Sequence, residues 1–175
     1  MRALKFLAIV VALASPAQAG SLPDPIAPAG IGKLQCYAPD TSHKTCNSLA
    51  SYTSGPNGTF DNRAIVLVSK NPIITVETVS PVEIKADQVC GKIREQDIDA
   101  AKFAAGDHVL DKKQAEPLRQ NLKRAFKDIF DHEICTAYVR DGSTLVAKAT
   151  MDAVAMPGAQ RVIWVSPDEG YRVGP

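Results

Sequence analysis

Aromatic residues are scarce in this chain: one Trp, four Tyr and five Phe in 175 residues. Its core must therefore come mainly from Val, Ile, Leu and Ala. An excess of either charge is also missing. Twenty Lys and Arg stand against nineteen Asp and Glu, so bulk charge draws the chain to no nucleic acid. Beyond the N-terminus, no apolar run is long enough to cross a bilayer. Internal repeats and low-complexity tracts are absent.

The familiar catalytic signatures are absent too. The lack of Cys-x-x-Cys argues against a thioredoxin-like redox centre. There is no His-Glu-x-x-His, and His43, His108 and His132 lie too far apart in sequence to form a local metal set. There is no Gly-x-Ser-x-Gly elbow and no Gly-x-x-x-x-Gly-Lys-Ser/Thr loop. Gly30 and Gly32 match two glycines of a dinucleotide fingerprint, but the third is lacking and no strand precedes them. The sequence thus offers no cofactor, no metal site and no catalytic residue to name.

What is present begins with an address. Residues 1–19 read as a signal peptide: Arg2 and Lys5, an apolar stretch 6–14, and the small-residue end Ala17-Gln18-Ala19. Cleavage near Ala19-Gly20 delivers the chain to a bacterial periplasm or to a secreted state. It also removes two positive charges, which takes the formal net charge from +1 to −1. Residues 20–32, with Pro23, Pro25 and Pro28, read as a Pro-rich extended leader. Residues 33–175 read as a single domain.

Four cysteines follow the signal: Cys36, Cys46, Cys90 and Cys135. An even count in an exported chain reads as two disulfides. Three pairings exist, and the favoured one is Cys36–Cys46 with Cys90–Cys135. The first pair closes a turn-like stretch. The second ties an early strand to the one after the main helix.

That helix is the clearest local pattern. Ala115, Leu118, Leu122, Ala125, Phe126, Ile129 and Phe130 fall on one side at helical spacing. Asp111 and Gln114 form a capping box, so the helix starts near Asp111 and is kinked at Pro117. Lys112, Arg119, Lys123 and Lys127 line one flank. Such a stripe suits an anionic partner or is simply a solvated face.

Strands are expected at 33–38, 45–53, 60–69, 73–79, 82–86, 134–139, 144–151 and 161–166. Residues 64–68 lack polar alternation, which suggests a strand buried on both faces. Pro81 should bend or end the strand before it. Gly106-Asp107 suggests a small hairpin. Asp141-Gly142 predicts a hairpin pairing Tyr138 with Leu145 and Thr136 with Ala147, their shared face turned to the core under the helix. Residues 171–173 should pair back onto the last strand. Together these give an α+β fold: mostly antiparallel β-sheet packed against one main amphipathic helix, with two disulfides.

Two polar groups were weighed for chemistry. Asp131-His132-Glu133, with Asp128 nearby, offers a ligand and a carboxylate to orient it, or a polar helix exit. Asp107-His108 shows no neighbouring nucleophile. Trp164 reads as core packing. The function expected is a non-catalytic, disulfide-stabilised exported module that binds a protein or an envelope component. The alternative is a small periplasmic hydrolase with a dispersed His/Asp/Ser site, His132 and His108 foremost.

Overall fold

The computed structural model describes residues 25–175. The expected signal peptide and its cleavage point lie outside the described residues. Thirteen strands and two α-helices follow in chain order. The strands are β1 (Leu34–Tyr37), β2 (Thr45–Cys46), β3 (Ser48–Ser54), β4 (Phe60–Lys70), β5 (Ile73–Lys85), β6 (Gln88–Lys92), β7 (Lys102–Ala105), β8 (His108–Val109), β9 (Glu133–Asp141), β10 (Thr144–Met151), β11 (Val154–Ala155), β12 (Gln160–Val165) and β13 (Arg172–Val173). Helix α1 spans Glu95–Asp99 and precedes β7; α2 spans Lys112–Phe126 and precedes β9.

Strands β1, β3, β4, β5, β6, β9, β10 and β12 each pair antiparallel with the next, and β12 pairs back with β1. The result is a closed eight-stranded antiparallel barrel. This corrects the expected α+β layering. The sheet does not need a helix to cover its apolar face, because closure turns that face inward and removes the barrel's edges.

Alternation decides what goes inside. Gln35 pairs with Ala50 and Trp164, Tyr138 with Ala147, and Phe60 with Val82. Ile26, Tyr52, Phe60, Val82 and Val89 form the central cluster, with Ile84, Tyr138 and Trp164 packed on it. Gly91 lies opposite Val82; a Cβ there would stand 2.9 Å from Val82 Cγ1, so the close strand approach requires glycine.

Residues 25–32 are not an extended leader. Ala27–Ile31 forms a 3-10 turn, and Ile26 is fully buried in the barrel cluster. An apolar residue among prolines found a place at the barrel end that composition could not show.

The strand after Pro72 is one element rather than two. Strand β5 pairs with β4 along its length, with β7 over its first half and with β6 over its last residues. Pro81 falls after the β7 pairing ends at Glu77 and before the β6 pairing begins at Val82. On that side no ladder partner asks for its missing N–H, so the proline is tolerated mid-strand.

The 141–144 turn pairs Asp141 with Thr144 and Tyr138 with Ala147. Its loop is Gly142-Ser143, one residue later than expected, with Gly142 at φ +58°. Each partner moves by two positions, so every side chain keeps its face. That face looks into the barrel rather than under α2. Three further expectations change. Residues 64–68 are only partly buried, with Val68 41% exposed. Strand β13 pairs parallel with β2, not with β12. Helix α2 ends at Phe126, so Ile129 and Phe130 lie in the turns beyond it.

Both disulfides form as favoured, Cys36–Cys46 and Cys90–Cys135. Cys90 and Cys135 are direct register partners on β6 and β9. Cys36 and Cys46 sit in a second small core outside the barrel, with Val165, Leu49 and Tyr171. The C-terminal stretch is held there by Gly174 N–H to the Cys46 carbonyl.

Candidate binding cavity

Strands β4 and β5 are longer than the barrel needs. Their far ends carry the inner face beyond the ring, and α1, β7 and α2 close over it. Val76, Ala101, Phe103 and Ala115 form the buried centre of this annex, with Leu118 and Leu122 packed on it. A bulge separates Leu67 from Ser69 on β4, leaving Val68 as the extra residue. Bulges re-aim side chains, and here the bulged Val68 stands at the rim.

Between β4–β5 and the helices lies a cavity of about 210 Å³. Val66, Val68 and Val76 line it from the sheet, and Ile98, Leu122 and Phe126 from the helices. Thr78, Ser80 and Asp97 are its polar members. Larger depressions exist, but the one beside α2 is edged by Asp99, Lys102, Lys112 and Glu116. This cavity is walled almost wholly by hydrocarbon, the usual character of a small-molecule site.

Its one ionised wall group is already satisfied. Asp97, 6% exposed, takes Ser80 Oγ–H at 2.8 Å and Arg94 Nε–H at 3.0 Å on Oδ2, and Arg94 Nη2–H at 2.5 Å on Oδ1. This fork-on-carboxylate pair fixes α1 against β5.

The cationic stripe on α2 divides in two. Arg119 is buried and donates from Nε to the Ile98 carbonyl at 3.2 Å and from Nη2 to the Ala101 carbonyl at 3.1 Å. Its guanidinium also lies 5.5 Å from the Phe103 ring centre. Lys123 pairs with Asp99 at 2.5 Å and Glu95 at 3.0 Å; these contacts hold its ammonium above the ordinary lysine value, the Asp99 hydrogen bond first. Both cations fasten α2 to α1 and β7. Lys112 and Lys127 are exposed. Helix α2 runs through Pro117 without ending; Lys113, whose carbonyl loses a donor, is exposed to water.

The histidines are dispersed over separate turns and strands. His132 Nδ1 bonds to Asp152, and Asp152 Oδ1 accepts the Glu133 N–H at 3.0 Å. The carboxylate orienting His132 is therefore Asp152 rather than Asp128 or Asp131. His108 is exposed on β8. Asp40, Ser42 and His43 do meet, on one exposed turn. Ser42 Oγ–H donates to Asp40 Oδ1 at 2.6 Å, and His43 Nδ1 lies 2.8 Å from Oδ2. The Ser42 bond, then those from His43, hold this carboxyl well below its ordinary range. The hydroxyl lies on the Nδ1 side and is spent on the carboxylate, so no base is aimed at it as nucleophilic catalysis requires. Among the described residues, no three His, Cys, Asp or Glu side chains gather as a metal would need.

Inside the barrel, three phenols converge on one amide. Tyr52 Oη–H donates to Gln35 Oε1 at 2.7 Å, and the Tyr37 and Tyr138 hydroxyl oxygens lie 3.1 Å and 3.2 Å from the same atom. The Tyr37 and Tyr138 hydroxyls also bond to each other, so one of them donates to its neighbour and only the other donates to Gln35 Oε1. Burial first, then the neighbouring phenols, pushes Tyr37 and Tyr52 well above their ordinary value. Gln35 Nε2 has no hydrogen-bond partner among the described residues.

No protein-family model, curated protein or solved structure matches this chain.

Proposed function

We propose that the chain is an exported, non-catalytic binding module, and that its ligand is an envelope component whose apolar part enters the cavity under α2. The observation behind this reading is the cavity itself: about 210 Å³, walled by Val66, Val68, Val76, Ile98, Leu122 and Phe126. A dry engineered cavity of roughly 150 Å³ takes benzene, so this one has room for a small ring or a single alkyl chain. Two disulfides are compatible with an extracellular or periplasmic setting. Among the described residues no helix is long and apolar enough to cross a membrane. The periplasm and cleavage near Ala19-Gly20 are part of this proposal and rest on the sequence pattern of residues 1–19.

The test is a thermal melt of the purified protein with toluene. Toluene raises Tm of the native chain, because a ligand that binds only the folded state stabilises it. Leu122→Trp, which fills the cavity, abolishes the rise. An unchanged Tm, or an equal rise in Leu122→Trp, rejects the reading. Turnover of esters, phosphoesters, peptides or glycans by the native protein would reject its non-catalytic half.

A further inference from the structure

The apolar cavity does not stand alone. On the other flank of Val66 and Val68 lies an open groove of about 400 Å³, lined also by Asn47, Ser48, Ser69, Lys70 and Gln160. The two spaces share Val66 and Val68 as a common ridge. The geometry points to a single-chain amphiphile with an anionic head: the tail lies in the cavity, the chain crosses the Val68 ridge, and the head sits in the groove beside Lys70. This inference rests on the reading of the cavity as a binding site and adds the ligand's chemistry.

Size sets the tail. The cavity holds one alkyl chain of medium length, and a two-chain lipid does not fit in about 210 Å³. Chemistry keeps the head out of it. Both Asp97 oxygens are occupied by Arg94 and Ser80, so the wall offers a charged head no counter-charge, only the Thr78 hydroxyl. A charge buried there without one carries a heavy desolvation cost.

The groove is mixed in character, with Leu67 beside the two valines and five polar side chains. Its polar lining is a set of neutral amides and hydroxyls plus one ammonium, with no carboxylate. Lys70 makes no ion pair among the described residues. An anionic head therefore finds a free cation and several hydrogen-bond partners at the surface, where water still solvates it. The ridge fits the same ligand. Val68 is a bulged residue, apolar and 41% exposed, and a chain crossing from groove to cavity would cover it.

The experiment is calorimetric titration of the purified chain with decanoate and with 1-decanol, each below its aggregation limit. Decanoate binds one per chain, and more tightly than decanol. Lys70→Glu weakens decanoate tenfold or more and changes decanol by less than about twofold. Val68→Asp, at an exposed position that the fold tolerates, weakens both tenfold or more, with Tm confirming that the variant is folded. Equal affinity for the two probes, or decanoate binding indifferent to Lys70→Glu, overturns the placement of the head. Toluene stabilisation without any decanoate binding overturns the amphiphile and leaves the cavity reading standing. Absence of both removes the two together.

Discussion

Tyr52 and Gln35 meet inside the barrel at 2.7 Å, phenol to amide oxygen, with Gln35 wholly buried and Tyr52 6% exposed. They come from neighbouring strands, and the same oxygen also accepts from the mutually bonded pair of Tyr37 and Tyr138. The amide thus carries the polar ends of three of the four tyrosines in a core otherwise made of hydrocarbon.

Tyr52→Phe removes one donor and leaves Gln35 Oε1 with the one proton that the Tyr37–Tyr138 pair has to spare. It lowers unfolding free energy by about 1 kcal/mol, the net value of an ordinary hydrogen bond. Gln35→Ala strips the acceptor from Tyr52 and opens a void, and costs about 3 kcal/mol. Urea midpoints at unchanged m-value measure both; equal losses would show that the amide does not organise the cluster.

The same cluster sets an alkaline limit. Tyr37 and Tyr52 keep their protons in the folded state, above the ordinary 10.0, where the unfolded chain would release them. Their contribution is complete below that value and is lost as pH rises through the folded values, so stability declines from about pH 10 upward. Phenolate absorbance followed beside the urea midpoint tests this. Reversible ionisation of all tyrosines near pH 10 in the folded protein would contradict it.

The two disulfides differ in worth. Cys90–Cys135 closes 45 residues and Cys36–Cys46 closes 10. Loop-closure entropy then gives about 4 kcal/mol for the first and about 2.7 for the second. Paired Cys→Ala variants, melted in urea, should keep that order. The reverse order would place the stabilisation in the folded state, where Cys36 and Cys46 pack against Val165.

Arg119 is structural. Replacing it with Lys leaves one ammonium to serve the Ile98 and Ala101 carbonyls that the guanidinium spans. The expected loss is about 2 kcal/mol, with faster hydrogen exchange in α2 and β7 than in the barrel. Uniform exchange throughout would show that the annex has no separate fastening.

Local pattern was legible and closure was not. The capping box of Asp111 and Gln114, the hairpin at 141–144 and the turn closed by Cys36–Cys46 follow from neighbours in sequence or from turn chemistry, whereas Cys90–Cys135 is favoured among three pairings that the sequence alone does not decide. The shared face of Ile134, Thr136 and Tyr138 is local too, and it survived a shift in register because alternation fixes faces before it fixes partners. The pairing of Leu34 with Val165 has no local trace; it exists because all the intervening strands curl. Without it, a sheet with an apolar face appears to require a covering helix, hence the α+β expectation. The cavity escaped notice for a similar reason. Val66, Val76, Leu122 and Phe126 carry the same spacing as any core residues, and only the bulge at Val68 and the excess length of β4 and β5 leave space between them. Arg119 and Lys123 looked like surface charge because their partners, the Ile98 and Ala101 carbonyls and Asp99, lie outside the helix.

The meeting of β1 with β12 has a consequence in time. A chain emerging N-terminus first holds an open sheet with two bare edges until residues 160–165 arrive to zip it shut. Contacts spanning nearly the whole chain form last and slowly, and open edges invite pairing with other chains. Loss of the final twenty residues would therefore leave a ribbon competent to join its own copies, and β12 acts as the latch against self-assembly.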